Sequence, residues 1–225
     1  MPGPTPRPRL PGNEALIAPP AATAGMREFV VVGHEAPTTP DFSLDDLPGA
    51  GRLDVLCRCV TSAFCLSHDI RGPVRVHLVL AGEYIVRFDG ADLRHLHPDE
   101  RSAASLIRGA LEHRDGAVGA MAADASPGVT IRRGGLGDAL EALPQSATVL
   151  ALRPDGDPIT DLQPPDHPAF VLSDHRSFTG AEGELLADVA DERVAVGPLP
   201  LHADQTVTVA HNYLDTDGYS RYRSR

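Results

Sequence analysis

From residue 26 onward, short apolar runs alternate with longer amphipathic stretches, and this rhythm limits the fold more than any other feature of the sequence. A continuous apolar run of five or six residues bounded by turn residues suits a strand buried on both faces, and such strands belong to parallel sheets covered by helices on either side. Strands are expected at "REFVVVG" (27–33), "VRVHLVLA" (74–81), "GVTIRR" (128–133), "ATVLALRP" (147–154), "AFVLSD" (169–174) and "RVAVG" (193–197), with "EYIVRFDG" (83–90) as a hairpin partner of the second. Between them, apolar residues recur at helical spacing. Leu53, Leu56, Val60 and Phe64 mark a helix over 51–68, and Ala104, Ile107 and Leu111, behind Pro98, mark another over 99–115. Further helices are expected at 135–143, 180–190 and 203–215. The fold class is therefore α/β, a mostly parallel sheet with helices on both faces.

The 225 residues suffice for one sizeable core. Residues 1–25 carry seven of the 21 prolines and no periodic apolar face, so they read as a disordered tail. Met26 opens the first strand and is a candidate translation start, which leaves 26–225 as the folded domain. No apolar run approaches ~20 residues, so no membrane helix is expected, and proline interrupts the apolar stretch of the tail where a secretory signal would need continuity. The expected setting is the cytoplasm. The 31 acidic residues outnumber 20 basic ones, all of them Arg, with no Lys anywhere. An acidic, lysine-free composition suits a protein from a salt-loving organism. Acidity ordinarily opposes a nucleic-acid partner, but in molar salt the screening length is ~3 Å, and binding then rests on local Arg and base contacts. Net charge leaves an RNA partner open.

Three late strands end in polar or conformationally special loops, "VLALRPDGD", "AFVLSDHRSFTG" and "VAVGPLPLHAD", and ligands of open parallel sheets bind at carboxyl ends of strands. A pocket is expected where these loops meet. The Gly-rich "RRGGLGDA" (132–139) lacks both the third glycine of a dinucleotide fingerprint and the Lys-Ser/Thr of a P-loop, so it reads first as a strand-to-helix turn, with Arg132 and Arg133 available to phosphate. His95 and His97 have no further ligands to complete a metal site and read as a surface pair. Cys57 and Cys59 lie roughly 200° apart on a helix and, with Cys65, read as small buried thiols. Asp174, just past a strand, reads as a turn residue. In "GRLDVLCRC" (51–59), Arg52, Asp54 and Arg58 alternate with the apolar face at a helix start. Asp54 there has a structural use near the helix N-terminus, or the three can grip a polar planar ligand.

The blocks "GRLDVLCRCVTSAFCLSHDIRGPVRVHLVL", "FVLSDH" and "RVAVGPLPLHADQTVTVAHNYLD" together resemble the archaeal tRNA pseudouridine-54 N1-methyltransferases, of the trefoil-knotted SPOUT class, over Met26 to about Asp215. The resemblance implies a C-terminal knot, S-adenosyl-L-methionine as cofactor, tRNA as partner, a homodimer, and no metal. It assigns Leu172, Gly197, Leu201, His202, Ala203, Asp204, Gln205 and Thr206 to the cofactor, with the two prolines stiffening their loop and Gly197 permitting close backbone approach; Thr206 stands where relatives commonly carry Cys. It implies that Asp54 accepts or relays the N1 proton or orients the base, while Arg52 steadies charge on the uracil ring. Arg58, Arg71, Arg75, Arg132 and Arg133 are expected either to touch RNA or to form salt bridges. Val207, Ala210 and Leu214 are candidates for a dimer interface or for the core. The alternatives are a methyltransferase acting on pseudouridine in small-subunit ribosomal RNA, and a non-catalytic RNA-binding protein of the same fold.

Overall fold

The computed structural model describes residues 25–119 and 121–222, so the expected disordered tail lies, but for Gly25, outside the described residues. In chain order the elements are β1 (Arg27–Gly33), α1 (Leu53–Phe64), β2 (Val74–Leu80), β3 (Tyr84–Asp89), α2 (Glu100–Glu112), β4 (Ala123–Ser126), β5 (Val129–Arg133), α3 (Leu136–Glu141), β6 (Thr148–Pro158), β7 (Pro168–Ser173), α4 (Gly180–Val189), β8 (Glu192–Ala195) and α5 (Ala203–Asp215). They build one sheet of order β4-β5-β3-β2-β1-β7-β6-β8. The run β2-β1-β7-β6-β8 is parallel, and β3, β5 and β4 extend it antiparallel beside β2.

The alternation of side chains along β1 divides the interior in two. Phe29 and Val31 point into a core shared with α1, α2 and α5, whereas Val30 and Val32 meet Leu136, Ala139 and Leu140 of α3 and Leu186 of α4. Phe29–Val32 are covered by apolar side chains on both faces, which is why that stretch is a continuous apolar run; the buried charges Arg27 and Glu28 before it are paired. On α5, Val207 and Ala210 are fully buried and Leu214 nearly so, in the core that α1 shares. Of the two uses expected for these residues, the structure selects the core. Burying side chains the size of Val207 and Leu214 stabilises by about 1.5–3 kcal/mol each.

Two local features fix the carboxyl edge of the parallel strands. Gly51 (φ 61°) and Arg52 (φ 60°) are both left-handed at the start of α1, and a Cβ on Gly51 would meet the Glu35 carbonyl oxygen at 1.7 Å. The chain thus turns into α1 hard against the loop that leaves β1, and holding a non-glycine residue left-handed next to it costs on the order of 1–2 kcal/mol. In the second feature, β8 lies against β6 with Val194 registered to both Leu152 and Asp157, so residues 153–156 bulge out of the ladder. A Cβ on Gly156 would lie 2.6–2.7 Å from backbone atoms of Val194, a spacing that glycine alone permits. Helix α1 ends sooner than periodicity suggests, because Cys65 adopts extended backbone and Leu66 closes a turn onto Asp69. Strand β4, "ADAS", has no counterpart among the expected elements.

Candidate functional site

The loops that follow β6, β7 and β8 converge on a cavity of about 430 Å3, inside the size range of small-molecule sites. Leu172, Phe178, Leu199 and Leu201 supply apolar wall, while Arg153, Asp155, Ser173 and Asp174 supply polar groups. Of the residues assigned to the cofactor, Leu172, Gly197, Leu201, Ala203 and Thr206 line this cavity; His202, Asp204 and Gln205 do not, because the first turn of α5 points them elsewhere. Apart from its two chain neighbours, no protein atom among the described residues stands within 4 Å of where a Gly197 Cβ would be, so its free side faces open space. Ser173 Oγ is buried at this cavity with no hydrogen-bond partner among the described residues, and a polar ligand group would satisfy it. Apolar walls for a flat ring and an unsatisfied hydroxyl fit a nucleoside-bearing ligand such as S-adenosylmethionine.

Beside the cavity, the start of α1 assembles a charged cluster. Arg52 grips Asp54 with two bonds, Nε to Oδ1 at 3.0 Å and Nη2 to Oδ2 at 3.1 Å, and Arg58 Nη1 adds a third to Oδ2 at 2.9 Å. The left-handed backbone of Arg52 allows this fork to fold back over a residue only two positions ahead. The Arg58 guanidinium also bonds Glu100 at 2.9 Å and lies 3.6 Å from Oδ1 of Asp204, whose helix neighbours Ala203 and Thr206 line the cavity. At 3.6 Å that contact is ionic rather than a hydrogen bond, and Asp204 Oδ1 accepts none among the described residues. Burial pushes the Asp54 carboxyl up, but the hydrogen bonds and charges of Arg52 and Arg58 outweigh it and hold the group below the usual carboxylate range. A carboxylate held by three N–H donors is a weak proton acceptor and a firm anchor for two guanidinium groups.

The remaining arginines divide by edge. Arg71 bonds Asp215 at 2.8 Å, and Arg75 bonds Asp89 at 2.7 Å and Glu28 at 3.3 Å. Both sit at the amino end of β2, across the sheet from the cavity, and the structure does not bring them to the site. Arg132 and Arg133 stand at the end of β5 opposite Tyr84 and Ile85, on the same edge as the cavity. Four strand spacings separate them from β7, about 19 Å at ~4.8 Å each. The Arg133 guanidinium lies 5.1 Å from the Tyr84 ring centre, and Arg132 bonds the Asp138 carbonyl. In "RRGGLGDA", Asp138 Oδ2 accepts from the Gly135 N–H at 2.8 Å and so starts α3, the turn expected there. Cys57 and Cys59 are buried, which pushes both thiols up, and His95 and His97 are exposed in a loop.

The sequence profile of a family described as putative SAM-dependent RNA methyltransferase matches residues 26–219. The chain belongs to this family. Among curated proteins, the tRNA (pseudouridine(54)-N(1))-methyltransferase of Haloferax volcanii is 66% identical over 198 residues, covering 88% of this chain and all of the relative. That of Haloarcula marismortui is 61% identical over the same shares. Among solved structures, Archaeoglobus fulgidus Nep1 bound to S-adenosylhomocysteine superposes with a TM-score of 0.57 at 14% identity, over 85% of this chain and 97% of that one, a likeness of fold.

Asp174 takes a larger part than a turn residue. It lines the cavity and is bonded to His34, and His34 is bonded in turn to Glu182 of α4. Neither His34 nor Glu182 stood out in the sequence. The signal was that His34 and Asp174 each directly follow a strand; sheet order, with β1 beside β7, makes them neighbours.

Proposed function

We propose that this chain transfers a methyl group from S-adenosylmethionine to N1 of pseudouridine 54 in tRNA. The observation that carries the reading is the juxtaposition of the cavity at the carboxyl edge with the Arg52–Asp54–Arg58 cluster, in a chain 66% identical over 198 residues to a curated enzyme of that name. The bound donor supplies a methyl on a positively charged sulfur. What the chain has to do is hold the uracil edge in line with that methyl, keep water out and balance charge on the ring as N1 gives up its proton.

Arg52 is the cation placed for the ring, its guanidinium fixed by Asp54. The N1 proton passes to solvent rather than to Asp54, whose oxygens already accept three N–H groups. Leu172, Leu199 and Leu201 face the adenine, and Ser173 Oγ offers it or its ribose a hydrogen bond. The tRNA lies along the carboxyl edge toward Arg132 and Arg133, with the target base turned out of its stack. The segment 196–202, passing from β8 to α5, is read as the thread of the SPOUT knot. A homodimer would use surface outside the core, since Val207, Ala210 and Leu214 are committed to it.

Purified protein with labelled S-adenosylmethionine and a tRNA carrying pseudouridine 54 should yield 1-methylpseudouridine by nucleoside mass spectrometry, and a transcript with uridine there should yield none. Tritium on the pseudouridine tRNA at another base, or on a small-subunit ribosomal RNA fragment instead, would overturn the reading.

A further inference from the structure

The segment between β7 and α4, residues 174–179, forms one wall of the cavity through His175, Arg176, Ser177 and Phe178, and both of its ends are tied to one imidazole. At the first end, the His34 backbone N–H donates to Asp174 Oδ2 at 3.0 Å, and His34 Nδ1 meets Asp174 Oδ1 at 3.1 Å. Asp174 itself is anchored by its N–H to the Val32 carbonyl at 2.9 Å and accepts from the Arg176 N–H at 2.9 Å. At the other end, His34 Nε2 meets Glu182 Oε2 at 2.9 Å, and the same oxygen accepts from the Thr179 N–H at 2.7 Å, capping α4.

A neutral imidazole donates from one nitrogen and carries a lone pair on the other. Here each nitrogen faces a carboxylate oxygen, so a neutral ring would set a lone pair against an anion at one end or the other. Only the imidazolium satisfies both. The three side chains are screened from water, with 12%, 1% and 20% exposure for His34, Asp174 and Glu182. We propose that His34 is a positioning residue of the donor cavity: as an imidazolium it ties both ends of wall 174–179, and donor affinity falls when it loses its proton. The inference rests on the cavity being the S-adenosylmethionine site.

Other groups around the tie are accounted for by element. From the loop after β1, Glu35 pairs with Arg176 and lies 4.0 Å from His175 Nε2. From the loop after β7, His175 Nδ1 is 3.5 Å from Asp174 Oδ2. From α1, Arg52 acts on Asp174 by charge alone, and from α4, Glu182 is the partner already described. Burial pushes the His34 pKa down, but the bonds to Glu182 and Asp174 outweigh it and raise it above the ordinary value. The tie is therefore complete below the ordinary histidine range and is lost as pH rises through the raised value.

The test is calorimetric binding of S-adenosylhomocysteine to the full chain from pH 6 to pH 9 at constant high salt, for wild type, His34→Gln, Glu182→Gln and His175→Gln. Wild-type Kd is expected to weaken about tenfold across the range, the effect of a one-unit difference in His34 pKa between bound and free states. His34→Gln should be about tenfold weaker at pH 6 and nearly flat with pH, its loss falling on the KM for donor rather than on kcat. Glu182→Gln removes one carboxylate and should move the wild-type curve to lower pH, a readout that survives if His34→Gln fails to fold; His175→Gln, which alters the wall itself, should change Kd by a constant factor and keep the slope with pH. A His34→Gln or Glu182→Gln curve that superposes on wild type, or a pH dependence that follows His175, overturns the inference while leaving the enzyme reading intact. A wild type that binds no donor at any pH overturns both.

Discussion

Gly156 packs from β6 against the side of β8, and Gly197 lies just beyond the end of β8, and alanine at the two positions should have opposite consequences. At 156 the added methyl would lie 2.6–2.7 Å from the N, Cα and C atoms of Val194, where ordinary contact begins near 3.4 Å, so β8 and the bulge of β6 must separate by most of an ångström. Neither partner is a flexible side chain that can swing away. Overpacking of this kind costs about 1–3 kcal/mol, and contact with backbone puts Gly156→Ala toward the upper end. In a domain of 150–250 residues each kcal/mol lowers Tm by about 2–4 °C, so a fall of roughly 6–10 °C is expected. At 197 nothing stands within 4 Å and the backbone is not left-handed, so Gly197→Ala should keep or raise stability by about 0.4–1 kcal/mol, through the unfolded chain. Urea unfolding by circular dichroism measures both. The functional order reverses: the Gly197→Ala methyl enters the space at the cavity, and S-adenosylhomocysteine should bind it at least tenfold more weakly than wild type. Equal stability losses in the two variants, or a Gly156→Ala protein as stable as wild type, would refute the argument from close approach; unchanged binding by Gly197→Ala would remove that glycine from the donor's surroundings.

Asp54→Asn keeps shape but replaces two charged acceptor oxygens with one neutral one, so Arg52 and Arg58 lose their fixed geometry; single-turnover methylation should slow by about 10–100-fold, with donor Kd within twofold, since a lost charge-assisted bond is worth about 1.5–3 kcal/mol. An unchanged rate would take Asp54 out of the mechanism. His211, buried on the inner face of α5 against Phe29, is held neutral mainly by burial, with the Arg71 and Arg27 charges adding to it, its pKa pushed down to about 3. The unfolded chain takes up that proton near the ordinary 6.5, so stability from this group is intact above 6.5 and is lost progressively as pH falls toward about 3. His211→Gln should flatten that part of an acid-unfolding curve measured by fluorescence or circular dichroism, and a curve with the wild-type slope would refute the assignment.

The parallel strands were legible because a strand covered on both faces must be written in apolar residues without interruption, as "FVVV" and "AFVLS" are. Strand β4 was not, since four small or polar residues at a sheet edge carry no period. The cavity's place at the carboxyl edge followed from the rhythm alone, and Leu172, Gly197, Leu201, Ala203 and Thr206 reached it from the family resemblance. What the sequence could not reveal was pairing across distance. Arg71, before β2, meets Asp215 at the end of α5 over 144 positions, and His34 meets Asp174 over 140 because β1 lies beside β7. "RPDGD" reads as a polar loop, and only the registration of Val194 with both Leu152 and Asp157 explains its glycine. The acidic and basic residues of "RLDVLCR" were equally open to a structural and a ligand-gripping use until three hydrogen bonds were seen to close on one carboxylate.

The segment from β8 through α5 supplies a cavity wall in its loop and a core face in its helix. A ribosome delivers that segment after the elements it joins, so a growing chain can lay down β1, β2 and α1 early yet have nowhere to receive a ligand until β8 and α5 arrive. Trimming α5 would therefore forfeit the pocket and the fold in one stroke, and a donor present during synthesis would meet a receptive protein only after α5 has emerged.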